Sequence, residues 1–268
     1  MARVKHPSRY SAHSLWQAQC SRRIWLARPP FRLKPPEEPI QALGTLLHKI
    51  IFETLEANCE ILLEDILAML SCRLPTRELF ALGEKCLSNF YLRYFANEER
   101  EETQEINVNL AVSVSKNIEP VLDLTSKEKP SYELFGVADE IRKEKRGIVI
   151  RDFKLSFQED DDFMFRCRLQ FGIYRSCLKP KAETEKVEIF CEVFDLTTGK
   201  LHTIEPFSRG KIHGIVMETQ KRILARSAGR NLKLCASCSY KPVCTNPHAA
   251  PREWKLKPVY EKQFVLIS

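Results

Sequence analysis

From about Ile40 to Asn97 apolar residues recur at spacings of three and four. After about residue 103 stretches appear in which they recur at every second position, so the character of the chain changes there. Leu43, Leu46, Leu47, Ile50 and Ile51 fall on one side of a predicted helix. Pro75 divides the region, and Thr76 is placed to cap a second helix through Leu79, Leu82, Cys86 and Phe90. Upstream, residues 11–28 mix apolar and basic character around Trp16, Cys20, Ile24 and Trp25, which predicts another helix. Five prolines between Arg28 and Pro39 make the connection irregular.

After the charged segment Asn97–Glu102, Ile106 to Val112 alternates strictly, as a half-buried strand does. Leu134–Arg142 and Ile148–Leu155 predict two more strands, joined by a turn at Lys145-Arg146-Gly147. A helix is expected at about 164–178, then a strand at Lys186–Phe194. The turn Thr197–Lys200 leads into a short strand ending near Pro206, and helical spacing returns over 209–227. There is no internal repeat and no low-complexity segment. The expected architecture is α/β: a central mixed β-sheet flanked by helices, with a helical segment at about 40–97 before it. A core at about 103–206 and a C-terminal helix with a cysteine-bearing tail at about 207–268 complete a single domain.

The 268 residues, 44% of them hydrophobic, suffice for a substantial core. Lysine and arginine outnumber acids 42 to 35, and this surplus favours a polyanionic partner. No apolar run reaches the roughly eighteen residues of a membrane span, so no membrane partner is expected. Met1 to His6 lack the apolar segment of a secretory signal, which predicts a cytoplasmic protein in a reducing compartment. Of ten cysteines, six (Cys59, Cys72, Cys86, Cys167, Cys177 and Cys191) stand alone and read as buried thiols.

Asp152 and Lys154 are two apart in an otherwise apolar strand, so both side chains emerge on one face. Asp139 closes the preceding strand in Gly136-Val137-Ala138-Asp139. If the strands pair, the two carboxylates approach. At about 4 Å, bare charges repel by ~4 kcal/mol at an effective dielectric near 20, and a divalent cation relieves this. His48, in Gly44-Thr45-Leu46-Leu47-His48, is a further candidate ligand. Imidazole beside carboxylates suits manganese somewhat better than magnesium. Lys154 can then orient an attacking water and neutralise charge growing on a phosphate. Alone, an Asp-x-Lys strand is commonly a solvated ion pair. It is the order of histidine on a helix, Gly-x-x-Asp, Asp-x-Lys and Gln170-x-x-x-Tyr174 that is rare.

Cys235, Cys238 and Cys244 form a C-x2-C-x5-C run, and Cys20 supplies a fourth thiol from the other end of the chain. Closing so long a loop costs on the order of 5 kcal/mol of chain entropy, which a bound metal centre offsets. Four cysteines accept a [4Fe-4S] cluster or tetrahedral zinc, and the spacing does not decide between them. Arg22 and Arg23 near Cys20, and Lys221, Arg222, Arg226, Arg230 and Lys233 before Cys235, would merge into one basic patch. Tyr240 is available there for base stacking, which predicts single strands or frayed DNA ends as partners.

These residues resemble the PD-(D/E)XK nuclease superfamily in its RecB-like branch with an iron–sulfur cluster. Within that branch they are most similar to the CRISPR-associated exonucleases that process DNA ends during spacer acquisition. The resemblance runs from Cys20 to Cys244. It implies a restriction-endonuclease-like core and metal ligands at His48, Asp139 and Asp152 for Mn2+ or Mg2+. It also implies a catalytic lysine at Lys154, with Gln170 and Tyr174 beside the site holding the lysine and DNA. Glu105 matches an acid often found before the strand, and the family often has glutamate where this chain has Asp152. The resemblance favours a [4Fe-4S] cluster over zinc at Cys20, Cys235, Cys238 and Cys244, in a structural role. The expected activity is a metal-dependent exonuclease on single-stranded DNA or DNA ends, working with CRISPR integrase proteins. The alternatives are a non-catalytic DNA-end-binding adaptor and a general DNA-repair nuclease. The chain departs from compact members in its length and in four consecutive acids, Glu159 to Asp162, after the catalytic strand. That run reads as a solvated turn.

Overall fold

Proline suits the first turn of a helix, and Pro39 opens α3 (Pro39–Ala57), which packs with α4 (Leu63–Ser71) and α5 (Arg77–Tyr91). The computed structural model describes residues 9–27, 31, 33–36, 38–57, 62–71, 76–96, 105–117, 131–224, 231, 232, 235 and 238–254. Leu43, Leu47, Ile50 and Ile51 of α3 are fully buried, with Ile66 and Leu70 of α4 and Cys86, Leu87 and Phe90 of α5. Burying each large apolar side chain stabilises the layer by roughly 1.5–3 kcal/mol. Thr76 caps α5 as expected: its hydroxyl accepts the Leu79 N–H at 3.4 Å from an extended backbone. A π-helical turn, Leu92–Ala96, follows α5 and carries Tyr94 inward.

The sheet is mixed. Its strands are β1 (Arg9–Tyr10), β2 (Glu105–Asn117), β3 (Ser131–Glu144), β4 (Gly147–Lys154), β5 (Glu188–Asp195) and β6 (Lys200–Thr203). β2–β3, β3–β4 and β5–β6 pair antiparallel, whereas β4–β5 and β1–β3 pair parallel. Residues of β4 alternate between faces. Phe153, with Phe194 and Leu196 beside it, joins the core under α3–α5. The other face lies under α6 (Asp161–Glu185). The turn into β4 uses Gly147 at φ +137, a conformation other residues rarely adopt.

Three expectations are corrected here. The helix expected at 164–178 spans 161–185, because Asp160 caps it by accepting the N–H groups of Asp162 and Phe163. The acidic run is thus a cap and first turn, where negative charge is favoured. The helix expected at 11–28 is two helices, α1 (Ala12–Gln17) and α2 (Ser21–Ala27), with Cys20 at the break. Strand β1 was not foreseen. The last long helix is α7 (Arg209–Leu224). No helix among the described residues is long and apolar enough to cross a membrane.

The chain divides into two compact units. The larger, Pro7–Ser14 and Glu38–Val216, contains the sheet and α3–α6. The smaller, Met1–His6, Leu15–Glu37 and Met217–Ser268, has its own apolar cluster of Leu26, Leu33, Tyr240, Val243 and Ala250. Its two chain segments are stitched by backbone: the Lys34 N–H donates to Trp254 O at 2.7 Å.

Candidate active site

A strand has two edges, and one edge of β3 is paired to β2 along nearly its whole length. On the other edge β1 pairs only at Glu133 and Leu134, and β4 only from Glu140 to Glu144. Residues 135–139 therefore form a notch on that edge, with Asp139 at its rim. Where the β3–β4 ladder stops, the Phe153 N–H donates to the Asp139 carboxylate at 2.8 Å, in place of a backbone rung. One step along β4 stands Asp152, so the notch brings the two acids towards each other.

Gln170 and Tyr174, one turn apart on α6, hold this arrangement from above. Gln170 Nε2 donates to Asp152 Oδ1 at 2.8 Å and to the Tyr174 hydroxyl at 2.8 Å. Its Oε1 accepts from Lys154 Nζ at 3.4 Å. Tyr174 in turn donates to the Val137 carbonyl inside the notch. Both ends of the amide are thereby assigned: oxygen to the ammonium, nitrogen to the carboxylate. Gly136 is required here, since a Cβ there would lie 2.5 Å from the Tyr174 ring.

His48 on α3 completes the group, its Nδ1 3.4 Å from Asp139 Oδ2. Burial works against a charged ring, yet Asp139 outweighs it and raises the His48 pKa. Burial likewise opposes the Asp139 carboxylate, but His48, Lys154 and the Phe153 N–H together hold its pKa below the usual range. Asp152 goes the other way. Burial, with repulsion from Asp139, lifts it to about 6 although Lys154 pulls it down. Lys154 is raised: burial would lower it, and the two aspartates more than compensate.

Lys154 Nζ lies 2.5 Å from Asp152 Oδ2 as the charge partner of that buried oxygen. Two buried carboxylates, Asp139 and Asp152, beside the His48 imidazole suit a divalent cation in donor type and charge. Among the described residues no three His, Cys, Asp or Glu side chains are gathered tightly enough to form a finished cage.

The opposite face of β4 carries a group that sequence reasoning missed. Arg151, 1% exposed, donates to Glu192 Oε2 at 2.8 Å, to the Tyr94 hydroxyl at 2.8 Å and to Glu140 Oε2 at 3.2 Å. Tyr94 donates to Glu140, and Arg142 and Arg146 pair with Glu140, Glu144 and Glu192. The only sequence signal was a charged residue at the buried phase of an apolar strand.

A groove of about 1180 Å3 opens beside the site. One wall is α3, from Gln41 through His48 to Glu56. The other is Lys154, Leu155, Ser156 and Gln158 with Phe163, Arg166 and Cys167 of α6. None of these positions except His48 and Lys154 was singled out from the sequence as a site residue.

In the smaller unit the ends of the chain meet around the cysteines. The Arg23 Nε–H donates to Cys238 Sγ at 3.2 Å, and the Asn231 N–H to Cys20 Sγ at 3.5 Å. Arg22 donates to the Cys244 carbonyl at 2.9 and 2.7 Å, and Cys235 Sγ lies 3.7 Å from Asn231 O. Donors aimed at sulfur suit thiolate ligands, so the residues fit a metal centre in their chemistry. The four sulfurs are not gathered as a ready ion cage.

The expected DNA contacts of this corner need correction. Tyr240 is buried among Leu26, Leu33 and Val243, with its hydroxyl on Leu33 O at 2.9 Å, so its ring is not presented to a base. Arg23 is 4% exposed with its guanidinium over Trp16, and Arg22 stacks over Trp25 at 3.8 Å. Arg222 bonds Glu218 and the Ala18 carbonyl. Arg226, Arg230 and Lys233 lie outside the described residues, as does the Glu105 side chain.

A family model described as PD-(D/E)XK nuclease superfamily matches residues 9–245. No curated protein matches the chain. A solved structure titled "Crystal structure of SSO0001" is similar at 14% identity, over 96% of this chain and 91% of that one, with a TM-score of 0.40.

Proposed function

The chain belongs to the PD-(D/E)XK nuclease superfamily, and we propose that it is a metal-dependent deoxyribonuclease acting on single-stranded DNA or free DNA ends. The observation that carries this reading is the convergence of two buried carboxylates, Asp139 and Asp152, with His48 and Lys154. Asp139, Asp152 and His48 would hold Mn2+ or Mg2+. Such an ion would supply Lewis acidity toward the phosphate and lower the pKa of an attacking water. Lys154 keeps its proton, because both aspartates raise its pKa, and it places that charge where negative charge grows on the phosphate. Gln170 fixes Asp152 and Lys154 relative to each other through one amide, and Tyr174 holds Gln170 to β3.

Cys20, Cys235, Cys238 and Cys244 are read as ligands of a structural [4Fe-4S] cluster, supported by the N–H donors aimed at Cys20 and Cys238. The resemblance of this cysteine set and of the ordered acids to CRISPR-associated exonucleases supports a role in trimming DNA ends with integrase proteins. The test is cleavage of a labelled oligonucleotide by anaerobically purified protein with and without Mn2+ or Mg2+. Cleavage should require the ion, and Lys154→Met should lose about 10²–10³-fold in rate while keeping the cluster absorption. Tight DNA binding with no metal-dependent cleavage would select the adaptor reading instead.

A further inference from the structure

Arg22 and Arg23 follow Cys20 on α2, and a helix turns by about 100° per residue, so their side chains part. Each meets a tryptophan and a cysteine. Arg22 lies over Trp25 at 3.8 Å and donates twice to the Cys244 carbonyl. Arg23 lies over Trp16 at 4.7 Å, and its Nε–H donates to Cys238 Sγ at 3.2 Å. The first arginine holds backbone, whereas the second reaches a sulfur.

That difference is chemical. A neutral thiol is a weak acceptor, and a guanidinium 4% exposed has given up most of its water. A buried cation set against sulfur is favourable when the sulfur is a thiolate, the form in which cysteine holds a metal. The other sulfurs lack such a donor. Cys20 Sγ accepts a neutral backbone N–H, from Asn231 at 3.5 Å, and Cys235 Sγ lies 3.7 Å from the Asn231 carbonyl. Among the described residues, Cys238 is the one cysteine whose sulfur takes a hydrogen bond from a charged group.

We propose, resting on the reading of Cys20, Cys235, Cys238 and Cys244 as cluster ligands, that Arg23 is a positioning residue that tunes the centre through Cys238. Its buried charge, stacked on Trp16 and directed by the Nε–H, draws electron density from that sulfur. Hydrogen bonds to the sulfurs and the local charge set the potential of such a cluster. The bound cluster therefore takes up an electron more readily, and gives one up less readily, than the same four thiolates without Arg23. For a centre whose work is to join distant chain segments, resistance to oxidation is the useful property.

The experiment titrates anaerobically purified protein with dithionite, which gives the cluster one electron with no bond made or broken. The reduced fraction is read by absorption and EPR, and iron, sulfide and zinc are counted in every sample. Arg23→Gln should keep its iron and shift the reduction equilibrium about tenfold against the electron, ~59 mV lower for a one-electron couple. Arg23→Lys keeps the charge but loses the Nε–H, and should shift it the same way by about threefold. The control is Lys241→Gln. Lys241 is exposed and lies between Cys238 and Cys244 in the chain, so its loss removes an equal charge from the solvated surface. That shift should be less than about twofold. Arg23→Gln with its iron and the parental potential overturns the proposal, as does a Lys241→Gln shift equal to that of Arg23→Gln. Should Arg23→Gln lose its iron, Arg23→Lys decides, and the parental potential there overturns the proposal. A parent without iron, or with zinc in its place, overturns the cluster reading and this proposal with it. The metal count tells that failure from the others.

Discussion

The two faces of β4 both bury charge, and they do so to opposite ends. Toward α3–α5, three guanidiniums (Arg142, Arg146, Arg151) meet three carboxylates (Glu140, Glu144, Glu192), with Tyr94 bonded between Glu140 and Arg151. Their charges cancel. Toward α6 two buried carboxylates, Asp139 and Asp152, meet one lysine, Lys154, with His48 beside Asp139. Neighbouring residues of one strand, Arg151 and Asp152, thus belong to a closed network and an open one. The first has its charges matched within the protein, whereas the second gathers carboxylates that a divalent cation can engage as well.

The comparison breaks most readily on its open side. Asp152→Asn should lower metal-dependent cleavage by about 10³-fold or more with a modest loss of fold, since Asp139 and the Gln170 amide still face the Lys154 ammonium. On the closed side, Arg151→Met should cost about 3–5 kcal/mol in a denaturant titration, because Glu140 and Glu192 stay buried without a counter-ion. The protein that remains folded should cleave at the parental kcat. A fall in kcat at full folding would show that the two faces are not separable.

A divalent cation at a hundred times its Kd should stabilise the parent by about 2.7 kcal/mol in a thermal melt, and should do nothing for Asp152→Asn. Gln170→Ala should lower kcat/KM by about tenfold, near 1.4 kcal/mol, mainly through kcat, because the amide orients the reacting groups. The smallest effect is on pH. Burial alone would raise Glu192, but Arg151 and Arg146 hold its pKa below the ordinary 4.5. That contribution is complete above 4.5 and is lost as pH falls through the lower folded value, so Tm should drop in acid and Glu192→Gln should flatten the drop.

What could be read from the sequence followed the reach of each signal. Asp152 and Lys154 share a face by the two-residue period of a strand, and Gln170 meets Tyr174 by the turn of a helix. Short-range geometry sufficed, and the structure brings these four together with His48 and Asp139. The closed network was illegible because Arg151 finds its partners at Tyr94, Glu140 and Glu192, far apart in the chain. Tyr240 failed for the same reason. Its basic neighbours suggested a nucleic-acid surface, while its burial depends on Leu26 and Leu33, some two hundred positions earlier. The acidic run was read as a loop, since a cap is recognised only once the helix start is fixed at Asp161.

The smaller unit joins Leu26 and Leu33 to Val243, Ala250 and Trp254, with Arg22 on the Cys244 carbonyl. On the ribosome the first of these segments emerges long before the last has been made. The native partners of Leu33 in this cluster, Tyr240, Val243 and Ala250, are made only after the whole sheet. This cluster therefore cannot close until Tyr240, Val243 and Ala250 have been made, and a chain stalled before Tyr240 is a target for chaperones and proteases.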